Sequence, residues 1–576
     1  MSVRLYLILT FVFILGWAMG CRSPGGSPAE MPTMIPTAVP IAEEDLPRPP
    51  TPPVTPASAL PHLLPTAPSS GSGQPVSPPI DVDAPRWRVG VTTAVPIELQ
   101  QQAQAIAAAH PHQFQWVGQN EADVWLDEGG MQPLIRWLYV VAAPFNTIRD
   151  GVTLAEVQTA WQSPTSPLLM EAATAAWLSE KWGEGLGLET AVAADHLIEA
   201  VWQAAPAWTI LPFHHLTPRL KVLALDEANP LAADFAPGSY PLWASYGLSG
   251  EAAAVAAFQA AWTQPASNYR PQEITRIAMT GVTALVRATA HRMELSGIDY
   301  PGSGVAPVLQ AADIAHISNE VSFSADCPYP NPVGGTTFCS RPAYFELLTG
   351  LGIDVIELTG NHLNDYGADK LLYTLEMYEE AGMATFGGGR DLTHAAEPAL
   401  FEHNGNRIAF VGCNPVGPAY AWATETRAGS RPCDETFAAQ IGQLAAEGYL
   451  VIATLQYHEF YHYAATPQQK VDFLALVDAG ATAVSGSQAH HAQGFALPRA
   501  YPDRFIHYGP GNLFFDQMDM LGTRQAFVAT YLVLNGRLLS VELWTGLIEN
   551  YARPRPMTAD ERAAALRAVF QASDWE

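Results

Sequence analysis

Five times in the second half of the chain, a run of residues suited to a buried strand gives way to a polar cluster. The clusters are Ser318-Asn319-Glu320, Asn361-His362, Gln456-Tyr457-His458-Glu459, Ser487-Gln488-Ala489-His490-His491 and His507-Tyr508-Gly509-Pro510-Gly511-Asn512. Runs such as Ile353 to Leu358 and Leu450 to Leu455 are apolar almost throughout, and helix-like segments such as Lys370 to Ala381 alternate with them. That alternation restricts the chain to an α/β architecture, which builds its sites where strands end. Five strand ends carrying oxygen and imidazole donors predict a common cleft.

Gly360-Asn361-His362 is the sharpest of these signals. An Asn amide beside a His imidazole, on a loop at the carboxyl end of a strand, can supply an oxygen ligand to a hard metal and a proton donor to an oxyanion. The alternative is a plain turn in which Asn caps and His bonds locally. A second histidine pattern, His458-Glu459-Phe460-Tyr461-His462, fits the zinc-protease spacing, which works only on one helical face. Here a strand ends just before it, and Thr466-Pro467-Gln468-Gln469 signals a helix that starts later, with a capping-box Gln at 469, so both histidines are expected on a loop. Asn404-Gly405 and Asn535-Gly536 predict hairpins, and with them antiparallel parts of the sheet system.

At 576 residues the chain is too long for one ordinary core, so two folded domains plus tails are expected. A net charge of −27 excludes nucleic acid and anionic lipid as partners, since both would be repelled. Residues 1–21 hold an apolar run, Leu5 to Met19, too short for a stable membrane span and suited to an export signal. Its end, Ala18-Met19-Gly20-Cys21, resembles a bacterial lipoprotein signal, which implies a lipidated Cys21 and an extracytoplasmic, membrane-anchored protein. An ordinary cleaved signal or an uncleaved anchor is the alternative. Residues 22–85 are dense in Pro, Ser, Thr and Gly and form the expected linker, unable to bury a core. Four cysteines remain beyond Cys21, and pairing Cys327 with Cys339 and Cys413 with Cys433 would each tie down a Pro/Gly-rich loop.

Two folded units follow, at 86–263 and 272–557, with a terminal helix at 558–576. In the first, strand-like Arg88 to Val91, helical Ile97 to Ala109, strand-like Trp137 to Phe145 and the capping-box spacing Thr153 to Glu156 set an α/β pattern. Through Val141 to Trp161 and Pro212 to Leu225 this smaller α/β domain resembles extracytoplasmic substrate-binding folds of the phosphate-binding type. A scaffold or spacer role is the competing expectation.

In the second unit, the order of the five clusters, with Arg341-Pro342, Gly387-Gly388-Gly389 and Gly511 to Asp516, resembles the CapA family of capsule and poly-γ-glutamate synthesis proteins. The resemblance implies a metallophosphatase-like fold of two packed sheets flanked by helices. It also implies Glu320 as an acidic metal ligand, Asn361 as a second, Gln488 in a position the family commonly fills with histidine, His490 as the terminal imidazole ligand, and His362 as the acid or oxyanion stabiliser. Three departures weaken a two-metal centre: Val282 stands where the family has Asp, Gln456 and Gln488 replace histidines, and Ser318 replaces Asn. Neutral amides bind hard cations through oxygen but bring no charge, so one weakly held divalent metal, or none, is expected. The partners implied are an anionic extracellular polymer or its synthesis machinery, and the membrane through Cys21. Hydrolysis or group transfer is one expected role; non-enzymatic polymer binding or assembly is the other.

Overall fold

A computed structural model describes residues 86–163, 165, 168–185 and 191–575, so the signal, the lipidation site and the linker expected within residues 1–85 lie outside the described residues. The described residues all belong to one compact unit. Among the described residues no helix is long and apolar enough to cross a membrane.

Three large sheets organise the described chain. The first has eight strands in the order Phe114–Trp116, Trp87–Val91, Val124–Glu128, Trp243–Gly250, Gln132–Pro144, Trp208–Pro212 and Leu168–Leu169, with Leu220–Val222 also on Gln132–Pro144. Its expected helix forms at Ile97–Ala109, and Thr153 and Glu156 close a full capping box. The long strand Gln132–Pro144 begins five residues earlier than its apolar stretch. Those first residues pair with Trp243–Gly250, and Ile135 among them is buried in the same core, although Gln132, Pro133 and Arg136 interrupt the apolar run.

The second and third sheets face each other. In the nine-stranded sheet, Val355–Glu357, Ile314–Asn319 and Ile274–Met279 run parallel, and the last pairs antiparallel with Gln525–Leu534. In the six-stranded sheet, Asn406–Cys413, Leu450–Gln456, Ala483–Ser487 and Phe505–His507 are parallel neighbours. Side chains alternate along each strand, so one set fills the space between the sheets and the other meets the helices. Ile277, Ile314, Val355, Phe410 and Ile452 share the inner core, whereas Ala278 and Ile317 on one sheet, and Val451 and Ala453 on the other, pack outward. This burial on both faces is why the runs read as continuously apolar.

Both expected hairpins form. Asn404 and Gly405 join Ala399–His403 to Asn406–Cys413, and Asn535 and Gly536 join Gln525–Leu534 to Arg537–Glu549. All four turn residues have positive φ, between 51° and 78°, the conformation that Asn-Gly tolerates best. The disulfides Cys327–Cys339 and Cys413–Cys433 are the two local pairs. Thr466 caps helix Pro467–Asp478, but Gln469 does not return the bond: its amide donates to Gln493 Oε1 and the Tyr508 carbonyl, both at 3.0 Å. Burial of Gln469 requires partners inside the fold, which a cap at the surface cannot supply.

The first sheet packs directly on the other two. Ile274, Leu532, Leu534 and Leu539 belong to its core, and Phe145 enters the core between the other sheets. Ion pairs and hydrogen bonds close the seam: Arg562 Nε to Asp150 Oδ2 at 2.8 Å and Asn229 Nδ2 to Glu542 Oε1 at 2.7 Å.

Candidate functional site

Strand Ile314–Asn319 runs into Glu320, and parallel beside it Val355–Glu357 leads to Gly360-Asn361-His362. Val321 and His362 continue that pairing as an isolated bridge. The two loops lie so close that a Cβ on Gly360 would run into Glu320 Cα, which accounts for glycine at this position. From the facing sheet, Leu450–Gln456 delivers Gln456, and Ala483–Ser487 leads to Gln488 and His490. Ser318 Oγ and Ser487 Oγ, 2.9 Å apart, join the two sheets where these strands end.

Across that seam the amides connect. Gln456 Nε2 donates to Asn361 Oδ1 at 3.1 Å and also to Gln488 Oε1. Glu320 sits among these groups only 1% exposed, and neither of its carboxylate oxygens has a protein partner. A buried carboxylate with no donor is costly, and a bound cation is the ordinary remedy. Gln456 Oε1 is similarly buried and unpartnered.

The two imidazoles are oriented by their neighbours. His362 Nδ1 lies 2.7 Å from Asp365 Oδ2, so Nδ1 carries the proton and Nε2 is the nitrogen left for chemistry. Asp365 is itself fixed by the Phe338 N–H at 2.8 Å and by the Tyr420 hydroxyl, which donates at 3.2 Å. Burial pushes the His362 pKa down, but the Asp365 hydrogen bond and the charges of Glu320, Asp365 and Glu459 outweigh it, leaving the pKa above the ordinary imidazole value. His490 Nδ1 faces Asn512 Oδ1 at 2.7 Å, and Asn512 Nδ2 donates to the Thr523 carbonyl at 3.0 Å, which fixes the amide orientation. His490 Nδ1 therefore donates, and Nε2 is the ring nitrogen left for a ligand, 3.8 Å from Glu459 Oε1. Gln488 and His490 both have left-handed backbones, with φ of 72° and 54°. Two such non-glycine residues in one loop store strain of the kind that gathers at functional sites.

The structure thus brings Glu320, Asn361, His362 and Gln488 together at the strand ends, with His490 two residues further along the Gln488 loop. Other members of the clusters turn elsewhere. Asn319 donates to the Val321 carbonyl at 2.9 Å and the Tyr378 hydroxyl at 2.7 Å, on the far side of its strand from Glu320. His491 is held by the Ala492 carbonyl at 2.7 Å against Tyr463. His507 lies in the core against Phe495, where burial lowers its pKa to about 3. His458 and His462 lie on irregular backbone before Pro467, so they share no helical face. Asp365, Glu459 and Tyr420 belong to the site's surroundings and were given no role from the sequence. Asp365 stands three residues after His362, a spacing at which an acid can orient an imidazole.

One carboxylate, several amide oxygens and an imidazole nitrogen suit a single hard divalent cation. Val282 is 1% exposed and its strand pairs with Ser318 and Asn512, so apolar surface occupies the place of a second carboxylate.

Parallel strands that end in a cleft between two facing sheets, lined by an acid, amides and oriented imidazoles, define the class of this half as an α/β protein with a strand-end polar site. Residues 275–517 match the family model of the bacterial capsule synthesis protein PGA_cap. The capsule biosynthesis protein CapA of Bacillus anthracis is 25% identical over 318 residues, covering 53% of this chain and 76% of that protein. Three further relatives, from Mycobacterium tuberculosis and Bacillus subtilis, are matched over only 64% or 65% of their own length. Among solved structures, a 5'-nucleotidase precursor from Thermus thermophilus aligns with a TM-score of 0.29 at 16% identity, covering 51% of this chain and 58% of its own. A phosphate transport receptor from Vibrio cholerae aligns with a TM-score of 0.24 at 12% identity, covering 28% of this chain and 85% of its own. Scores this low define neither fold.

A different His/Glu group lies in the first half, where Glu98, His214 and His215 bring one potential ligand atom each within 4.8 Å of one another. His215 Nε2 is ion-paired to Glu98 Oε1, and its Nδ1 lies 3.4 Å from Glu171 Oε1. Burial opposes charge on this ring, but hydrogen bonds to Glu171 and Glu98 prevail and raise its pKa to about 9. A raised folded-state pKa gives stability that is complete below the unfolded value near 6.5 and lost as pH climbs through about 9. Thermal melts from about pH 6 to 10 are therefore expected to show wild type losing, relative to His215→Gln, an advantage of order 2 kcal/mol after solvent screening. A constant difference across that range would remove the imidazolium from the account.

Proposed function

We propose that this chain is an exported, lipid-anchored envelope protein acting in the synthesis of an anionic extracellular polymer, poly-γ-glutamate or a capsular polysaccharide. The match of residues 275–517 to the capsule-synthesis family model and the relatives' names support the polymer class, and the sequence of residues 1–21 supports export. In this reading the two facing sheets form a metallophosphatase-like half, and the strand-end cleft is a hydrolase or transferase site with one divalent cation. The observation that carries it is the pairing of a buried, unpartnered Glu320 with an imidazole held by Asp365 in the same cleft.

Glu320, Asn361, Gln488 and His490 would hold the cation, which when bound supplies Lewis-acid polarisation of a substrate oxygen. Nε2 of His362, its ring fixed by Asp365, would give a proton to a leaving oxygen or steady a developing oxyanion. A second reading, a polymer-binding or assembly module without turnover, is favoured by the buried Val282 and the neutral Gln488. The two part company in an assay of the purified protein with Mn²⁺ on model phosphoesters and on glutamyl amides. Metal-dependent turnover of either substrate is expected; saturable polymer binding with no turnover would establish the binding module instead.

A further inference from the structure

The first half holds a surface cleft of about 350 Å³ whose walls include Glu98, Gln102, Trp137, His214, Arg270 and Arg537. Two acceptors there lack a partner: Glu98 Oε2 and Gln102 Oε1 are both buried with no hydrogen bond from the protein. Each calls for a donor from a ligand.

A metal ion is a poor match for that demand. Asn268 Oδ1 accepts from the Leu138 N–H at 2.7 Å and its Nδ2 donates to the Leu138 carbonyl at 3.0 Å, which fixes the amide. The same Nδ2 faces His214 Nδ1 at 3.3 Å, and an amide nitrogen can only donate. His214 Nδ1 is therefore the acceptor, so Nε2 carries the proton and points it towards Glu98 Oε1, 3.8 Å away. His215 has a carboxylate on each of its nitrogens and is an imidazolium. The one lone pair of the two rings, on His214 Nδ1, is taken by Asn268. Burial and the neighbouring His215 charge, with smaller contributions from Arg537 and Arg270, hold His214 neutral, its pKa lowered to about 3.

What the cleft offers is a pair of bare acceptors, two guanidiniums and an indole. Arg270 is shared with Glu273 at 2.7 Å, and Arg537 is exposed at the rim. An ammonium satisfies the first pair and a carboxylate pairs with a guanidinium. We infer that this cleft binds a small zwitterion with a primary ammonium and a carboxylate, the ammonium on Glu98 Oε2 and Gln102 Oε1 and the carboxylate on Arg537. That chemistry belongs to a free amino acid or to the ends of a short peptide, and the volume suits the former.

Calorimetric titration of the full chain with L-glutamate, L-leucine and a glutamyl dipeptide tests this. Saturable binding of at least one amino acid is expected, weakened roughly tenfold or more by Gln102→Leu and by Arg537→Ala. Gln102→Leu leaves the Glu98–His215 pair in place, and an unchanged melting temperature, measured alongside, separates lost binding from lost fold. Preference for the dipeptide would assign the site to peptide ends. No binding of any probe up to about 10 mM, or binding indifferent to both variants, would overturn the proposal. So would tight Zn²⁺ binding that His214→Ala abolishes, since it would make the group a metal site.

Discussion

Replacing His362 by alanine is expected to reduce turnover roughly 100- to 10,000-fold, the usual range for a lost general acid, while leaving the fold in place. The ring packs on Phe338 at 4.4 Å and its side chain is 17% exposed, so its removal opens no sealed core cavity. Melting temperature and cation binding should stay close to wild type, because the ring belongs to the chemistry and not to the cation's ligand set. A loss of activity matched by an equal loss of folded protein would instead make His362 a packing residue. His362→Asn, which is smaller and cannot transfer the proton, should be as inactive as the alanine variant.

Glu320→Gln should produce two effects of opposite sign. In cation-free protein the substitution removes a buried charge that no protein group satisfies, and it should stabilise the fold by about 1–3 kcal/mol. With Mn²⁺ or Mg²⁺ added, wild type should gain stability by mass action and the variant should not. Denaturant unfolding with and without cation gives both numbers. If Glu320→Gln destabilises the cation-free protein, the carboxylate has a structural partner and the site loses its anchor.

How far the sequence carried this fold follows from where its signals come from. Apolar alternation and local turn chemistry are visible in one dimension, so the Asn-Gly hairpins, helix Ile97–Ala109 and the Thr153 capping box read directly, and loop closure favours the two local disulfides over the other pairings. Partners chosen in three dimensions are not. Gln469 completes a cap on paper but is drawn inward to Gln493, and the start of strand Gln132–Pro144, where Gln132, Pro133 and Arg136 break the apolar run, is set by pairing with Trp243–Gly250 and by burial of Ile135. Within the site, the strand period of two already separates Glu320 from Asn319, a distinction that reading each cluster as a unit misses. Glu459 was hidden inside a zinc-protease look-alike, and Glu98 and His214 stand too far apart in sequence for any spacing rule to join them.

The most direct test of the central claim is histidine-ring NMR of the full chain during Mn²⁺ titration, because a paramagnetic ion broadens only the rings near it. The account predicts that one equivalent broadens His362 and His490 together, leaves His214 and His215 sharp, and has no such effect in Glu320→Gln. Broadening at His214 and His215 instead, or at His490 without His362, would contradict a single cation site shared by the strand-end loops.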